Sequence, residues 1–384
     1  LDYRRRWQLT RLRRTRQRLG VALGALALLA LTALAMRYAR HTGAVWTYTP
    51  PRPGLAHFSV RGLDLCAVWD TGRVVALEVA TGRERPHSEF RRAFPFLAPP
   101  LLASGRALVG SDDGRLRCLD LSSGQALWEH RTGGAVRSQP VLVGNRVLFG
   151  SDDGYLYCVD FGTGARLWRT YCGGPLGTAA AITGDRAVVG TVGYGIGCVS
   201  LAAPAAAPSP APAAAPADLS APERWLWGVA VPAPVLAPPL VYAEGKVAVG
   251  TDEGALYLLD AVAGRALARV EMPGLVRRPP ALVGDRLVVA DSGGEVRALA
   301  ANGSLLWSRQ VSDTPTVGLT ATESAVYLGT AGGEVLALRA ADGTILWRRD
   351  LPGPAAGSLE VNEALVLVGL DDGRICAFRR PMKG

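Results

Sequence analysis

Histidine is scarce in this chain of 384 residues: His41, His57, His87 and His130 are the only four, and no two are spaced as metal ligands are. No G-x-S-x-G accompanies them, so a serine hydrolase elbow is excluded, and the four read as solvated surface side chains. Six cysteines occur without a single C-x-x-C, which removes zinc-ribbon and dithiol redox chemistry. Basic charge is missing from the body of the chain. The net charge is +9, but residues 1–43 hold ten arginines against one acid, Asp2. Taking those off the totals of 42 and 33 leaves 32 basic and 32 acidic side chains over the other 341 residues. A nucleic-acid footprint needs a basic folded surface, so no nucleic-acid partner is expected. What is abundant is glycine (46) and proline (26), with 49% hydrophobic residues. That is a turn-rich chain with enough apolar content to fold.

The N-terminal charge has a neighbour that explains it. Residues 19–36 (LGVALGALALLALTALAM) are 18 positions without a charge, following eight arginines. A helix of that length spans about 27 Å, close to a bilayer's hydrocarbon core. The arginines should stay cytoplasmic and everything after residue 43 should be exported. Ala33-Leu34-Ala35 fits a signal-peptide cleavage site, but Arg37 and Arg40 follow at once and the apolar run is long, so an uncleaved anchor is favoured. No cysteine follows for lipidation, and Arg4–Arg6 match a twin-arginine signal poorly. The expected division is a basic segment 1–18, an anchor 19–36, a linker 37–43, a folded region 44–380 and a tail 381–384. The first residue is Leu1, and a cytoplasmic domain upstream of it is left open.

From residue 44 the sequence copies itself. VLVGNRVLFGSDDGYLYCVDFGTGARLW (141–168) has relatives at 107–128, 247–267, 287–307, 326–347 and 365–378, with weaker copies at 67–84 and 187–201. Aligned on the turn after the second strand, the eight copies fall at 72, 114, 154, 194, 254, 294, 333 and 373. Steps of 40 ± 2, with a single step of 60, indicate units that bury their faces only against neighbours. Each unit reads as four strands, A to D, joined by Gly-Asn, Asp-Asp-Gly and Gly-Thr-Gly hairpins. The fold expected is all-β: an eight-bladed β-propeller of four-stranded blades. The last unit ends after its strand C, and Val45–Tyr48 matches the missing strand D, so the N-terminal strand should close the ring. The long step holds an Ala/Pro-rich segment, 202–223, whose composition suits an extended surface loop between strands C and D of blade 4. With the chain entering the ring at a strand D, the face carrying the C–D connections should look toward the membrane if the anchor is kept.

The C–D segments LDLSSGQALW (119–128), VDFGTGARLW (159–168) and LRAADGTILW (338–347) share D-x-x-[TS]-G-x-x-x-W or close variants of it. This resembles the tryptophan-docking repeat of the pyrroloquinoline-quinone-like, quinoprotein alcohol dehydrogenase-like propellers, over residues 44–380. The resemblance implies structural docking by Trp46, Trp128, Trp168, Trp227, Trp307 and Trp347. Ser88 and Ala268 stand at that position in blades 1 and 5, which leaves their docking in question. The family divides into quinoprotein dehydrogenases and cofactor-free scaffolds such as the outer-membrane assembly propeller and kinase sensor domains. The adjacent Cys-Cys pair that the dehydrogenases place over their cofactor is absent here.

Within the repeat, Cys118, Cys158 and Cys198 alternate with alanine or leucine at one position and read as buried packing thiols. The acidic turns Asp112-Asp113, Asp152-Asp153, Asp252-Glu253 and Asp371-Asp372 are too short to supply the six oxygens of a calcium loop and read as turns. Gly193–Gly197 imitates a phosphate loop but lies in a hairpin rather than before a helix. Arg137, Arg277 and Arg278 precede the innermost strands of their blades, so they are the candidate partner-binding residues at the channel mouth, with pairing to the acidic turns as the alternative. The function expected is a non-catalytic, monomeric, membrane-anchored scaffold in the bacterial periplasm, attached to the inner membrane through 19–36 and binding protein partners of the cell envelope. No cofactor or metal is expected. A short quinoprotein dehydrogenase and the sensor ectodomain of a membrane kinase are the alternatives.

Overall fold

The computed structural model describes residues 43–193, 195–202 and 224–381. The basic segment, the apolar run, nearly all of the linker and of the Ala/Pro segment, and the tail's last three residues lie outside the described residues. So do the readings of anchor, cleavage and membrane-facing side that rest on them. No helix among the described residues is long and apolar enough to cross a membrane.

Blade 3 shows why the repeat folds as it does. Its strands are Val141–Val143, Arg146–Gly150, Tyr155–Asp160 and Arg166–Tyr171, in antiparallel order with Val141 opposite Leu148, Leu148 opposite Cys158 and Cys158 opposite Trp168. The C–D turn is set by one carboxylate: Asp160 Oδ1 accepts hydrogen bonds from the Thr163 amide and hydroxyl, both at 2.9 Å. This is the side-chain turn that Asp-x-x-Thr/Ser-Gly encodes. Asp120 does the same for Ser122 and Ser123 in blade 2. Strands B and C are buried on both faces and accordingly read as continuous apolar runs, whereas strand D alternates and meets solvent.

Eight such four-stranded sheets make up the described residues, an eight-bladed propeller. The cores lie between blades rather than within them. Leu108, Leu116 and Cys118 of blade 2 pack with Val147, Phe149, Tyr157 and Val159 of blade 3, and the same pairing of neighbours recurs around the ring. A single blade therefore has no core of its own. All six cysteines are free and buried, and burial pushes the thiols of Cys118 and Cys158 up to about 11, far from a reactive thiolate.

The tryptophans join one blade to the next. Trp128 Nε1 donates to the Phe161 carbonyl of blade 3 at 3.1 Å, and its indole lies where a Cβ on Gly164 would sit, 2.5 Å away. Trp46, Trp227 and Trp307 repeat this on Val79, Ala261 and Ala340, at 3.0, 2.9 and 2.9 Å, over Gly82, Gly264 and Gly343. The turn glycine of the motif is needed twice over: its φ is positive, and the neighbour's indole leaves no room for a side chain. The two departures have substitutes. In blade 1 the backbone of His87–Glu89 lies against Gly124, while Ser88 Oγ accepts from the Ala76 amide at 3.2 Å. In blade 5 Leu258, opposite Ala268, reaches 3.3 Å from the Gly303 position. In blades 2, 3, 4, 6 and 7 cysteine or alanine faces tryptophan; here the large and small residues have exchanged strands. Trp168 instead carries the Arg224 guanidinium over its ring, 4.6 Å from the centroid.

Closure follows the expected route. The strand Ala44–Tyr48 is the fourth strand of blade 8, beside Ile375–Arg379, Leu365–Leu370 and Ala355–Val361. Around this joint the contacts turn polar. Trp69 Nε1 donates to the Gly373 carbonyl at 3.1 Å, and the Phe58 amide donates to Ser358 Oγ at 3.0 Å. Arg73, 5% exposed, bonds Glu84 at 2.9 Å, Glu89 at 2.8 Å and the Tyr48 hydroxyl, with its guanidinium 5.4 Å from the Trp69 ring centre. Burial opposes the Arg73 charge, but the hydrogen bonds to Glu89, Glu84 and Tyr48 outweigh it and hold the group protonated.

Candidate functional site: the channel mouth

The segments leading into the innermost strands of all eight blades converge on one cavity of about 330 Å³, from His57 in blade 1 to Glu360 in blade 8. The D–A connections and the B–C turns share the face onto which it opens, because Arg137 of one reaches the aspartates of the other.

The three arginines singled out in the sequence are not equivalent. Arg137 donates to both Asp112 oxygens at 2.9 and 3.0 Å and to Asp152 at 2.7 Å, tying the turn of blade 2 to that of blade 3. Its hydrogen bonds to Asp112 hold its charge above the usual arginine range. Arg277 grips Asp252, with Nη2 at 3.2 Å. Arg278 makes no hydrogen bond or ion pair among the described residues, and it lines the cavity. Crowding by protein, then the like charge of Arg277, pull it below the usual range. Arg91 and Arg92 are occupied by Glu89 at 2.5 Å and Glu129 at 3.8 Å.

The acidic turns are also engaged within the fold. Asp113 holds Arg117, which is 1% exposed; Asp153 accepts from Tyr157 Oη at 2.7 Å and the Gly133 amide at 2.8 Å; Asp372 pairs with Arg374 at 2.6 Å. Among the described residues no group of three or more His, Cys, Asp or Glu is arranged to hold a metal.

Sequence reasoning missed three residues of the cavity wall, His57, Thr178 and Glu360, and misplaced His130 outside it. His57 was expected on the solvated surface; it stands half-buried in the channel wall, with Nδ1 buried and without a partner. Burial, then the Arg278 charge, bring its pKa down to about 4, so the ring is neutral. His130 is likewise wedged between the Phe149 and Tyr157 rings, 5.9 and 5.7 Å away. Thr178, 8% exposed, lines the cavity with its hydroxyl unpartnered. Glu360 lines it too, and burial lifts its carboxyl to about 7. Thr178 shares its repeat position with Ser138 and Arg278, but the residue type there changes from blade to blade, so periodicity carries no signal for a shared role.

The donor set does not suit the flat tricarboxylate quinone after which the repeat is named. Of the three arginines on the wall, Arg137 and Arg277 are held by turn aspartates, so one unpaired guanidinium would face three carboxylates, beside a neutral imidazole and an acid.

Ring, joints and channel together define an eight-bladed propeller of the quinoprotein-like class. The family model described as outer membrane protein assembly factor BamB matches residues 70–202, 218–330 and 294–380, and the chain belongs to that family. No curated protein matches the sequence. Among solved structures, BamB from Moraxella catarrhalis superposes with a TM-score of 0.70 at 15% identity, over 89% of this chain and 98% of that one. The quinohemoprotein alcohol dehydrogenase of Comamonas testosteroni gives 0.68 at 14%, over 89% and 78%. The computationally designed Ika8 protein gives 0.73 at 16%, over 88% and 100%. At these identities the likeness is one of fold.

Proposed function

We propose that the chain is a non-catalytic protein-interaction scaffold of the bacterial envelope, exported, held at the inner membrane by residues 19–36, and contacting its partner through the channel-mouth face. The observation that carries this reading is the charge arrangement at the mouth. Arg137 and Arg277 are committed to turn aspartates, which stiffens the rim, and Arg278 alone is left to engage another molecule. Membership of the assembly-factor family supports the envelope location. The test is site-specific photo-crosslinking in envelope membranes, with the crosslinker at Pro273 and Ser312 on the mouth face and at Glu244 and Asp285 on the opposite one. Protein adducts from the first pair and none from the second are expected; equal yields, or adducts from the second pair alone, would overturn the choice of face.

The fold shared with quinohemoprotein alcohol dehydrogenase supports a second reading, a short dehydrogenase. Dye-linked alcohol oxidation above background after addition of pyrroloquinoline quinone and calcium would establish it and displace the first.

A further inference from the structure

Strand D carries a β-bulge at one repeat position in six blades. In blade 2, Trp128 faces Cys118 and Ala126 faces Leu119, so Leu127 between them has no partner in the ladder. Leu167, Leu226, Leu267, Leu306 and Leu346 are the unpaired residues of blades 3 to 7. A bulge blunts an edge strand and turns a side chain out of the sheet, and a polar residue would serve for that. Here the residue is leucine each time, and outside blade 4 it is 41–50% exposed. Strand D begins at the end of the ring that carries the C–D turns, opposite the channel mouth, so these leucines stand around that rim. Val45, Leu63, Val262, Leu305 and Ile345 are exposed at the same end. Five and five make ten of the thirteen large hydrophobic side chains exposed among the described residues. Single apolar residues are ordinary on a surface, but a crowd of them at one end marks a contact.

We propose that this rim rests on a lipid bilayer, with the bulge leucines entering its interfacial layer and arginines between them meeting anionic headgroups. The proposal rests on the reading that residues 19–36 hold the chain in a membrane. The tether argues for lipid as the occupant. The strand Ala44–Tyr48 begins at this end of the ring, and residues 37–43, which join it to the apolar run, reach about 25 Å at most. Charge agrees. Asp120, Asp160, Asp260 and Asp342 accept hydrogen bonds from amides of their own C–D turns. Arg83, Arg166 and Arg379 are exposed at this end and make no ion pair among the described residues. An arginine stem lies along apolar surface while its head stays among the headgroups. The exposed acids Glu244, Asp285 and Glu363 belong to A–B turns, inside the ring of leucines, and a contact through the outer rim need not bury them.

The test places an environment-sensitive fluorophore on single introduced cysteines in the full chain, the six native thiols being buried. The chain is held in vesicles of phosphatidylcholine with or without phosphatidylglycerol. Sites are Leu167→Cys and Leu306→Cys on the rim, Val192→Cys on the mouth face and Ala27→Cys in the apolar run. Lipids brominated near the headgroup should quench the rim labels at least about threefold more than the label at 192, as a shallow interfacial contact requires. Added salt, or omission of phosphatidylglycerol, should reduce that quenching. Leu267→Asp with Leu346→Asp, in the blades on either side, should abolish it at 306 with an unchanged melting midpoint. Quenching at 27 alone overturns the lipid contact and leaves the anchor standing. Quenching at the rim alone overturns the anchor and leaves the contact standing, and quenching at neither overturns both. Rim quenching indifferent to salt and phosphatidylglycerol overturns the role given to the arginines. Rim labels that respond only when envelope proteins are added mark a protein interface and overturn the lipid assignment.

Discussion

The joint between blades 6 and 7 and the joint between blades 8 and 1 share one docking device and differ in the polar contacts around it. In the first, Trp307 of blade 6 lies over Gly343, and a covalent C–D turn holds that glycine in place. Trp46 of blade 8 does the same over Gly82 in the C–D turn of blade 1, although its strand joins blade 8 from the opposite end of the chain. The joint that carries the ring closure adds buried polar contacts to that docking: Trp69 to Gly373, Phe58 to Ser358, and Arg73 drawing together Tyr48, Glu84 and Glu89. Apolar packing supplies adhesion but little register. Hydrogen bonds between groups that have left water fix position, because each is costly to leave unmade. Where the backbone does not specify registration, side chains do.

Five measurements would break or sharpen that contrast, and the largest effect is removal of the closing strand. Deleting residues 44–50 should expose the edge of Ile375–Arg379 and cause aggregation or gross loss of thermal stability; a monomer with an unchanged midpoint would sink the closure argument. Next, Trp307→Ala should cost about 3–5 kcal/mol in denaturant titration, as large buried truncations do. Arg73→Met should cost about 2–3 kcal/mol, less than a fully buried pair because Glu84 and Glu89 can rehydrate. If it proves neutral, the closing joint is apolar after all. In blade 5, Leu258→Ala should cost about 2–3 kcal/mol, and Leu258→Cys combined with Ala268→Trp should cost less than the sum of the single changes. Additive effects would mean that the two residues are not exchanging volume.

The smallest effect is a pH dependence at the closing joint. Burial holds the Glu360 carboxyl at about 7, above its unfolded value, so the folded protein binds that proton more tightly than the unfolded chain. Stability from this group is intact below about pH 4.5, falls as pH rises to about 7, and is level beyond. Glu360→Gln should remove the fall, leaving the variant about 1–2 kcal/mol more stable at pH 8 and unchanged at pH 4, with channel water reducing the full linkage value. Parallel stability curves would show that Glu360 ionises normally.

The blades, the hairpins and the closing strand were legible because each rests on residues that act locally. Asp160 makes its own turn, Gly164 permits it, and Val45–Tyr48 shows the period of a strand D. Tryptophan docking was legible as a position but not as a direction: periodicity shows that Trp128 recurs, not that it bonds Phe161 of the following blade. The doubt over Ser88 and Ala268 came from reading one strand at a time, whereas Leu258 and the backbone of 87–89 compensate from elsewhere. The site was half legible. Arg137, Arg277 and Arg278 stood out, but their division into two clamps and one free cation depends on which turn each blade brings alongside. His57, Thr178 and Glu360 gave no signal, because which flank of an innermost strand faces the channel is set by the ring.

Because Trp46, Trp128, Trp227 and Trp307 all point forward, their four joints behave as one kind of coupling, with a knob on one side and a socket on the other. Such couplings are heterologous: they close only when the accumulated rotation returns to the start. A fragment of whole blades cut at two such joints, such as blades 3–6, carries one unmatched knob, Trp307, and one unmatched socket, Gly164, that fit another copy of the same fragment. A half-propeller of four blades should therefore pair with itself into a two-fold ring, and a fragment of three or five blades, for which the rotation does not close on eight, should grow into open chains.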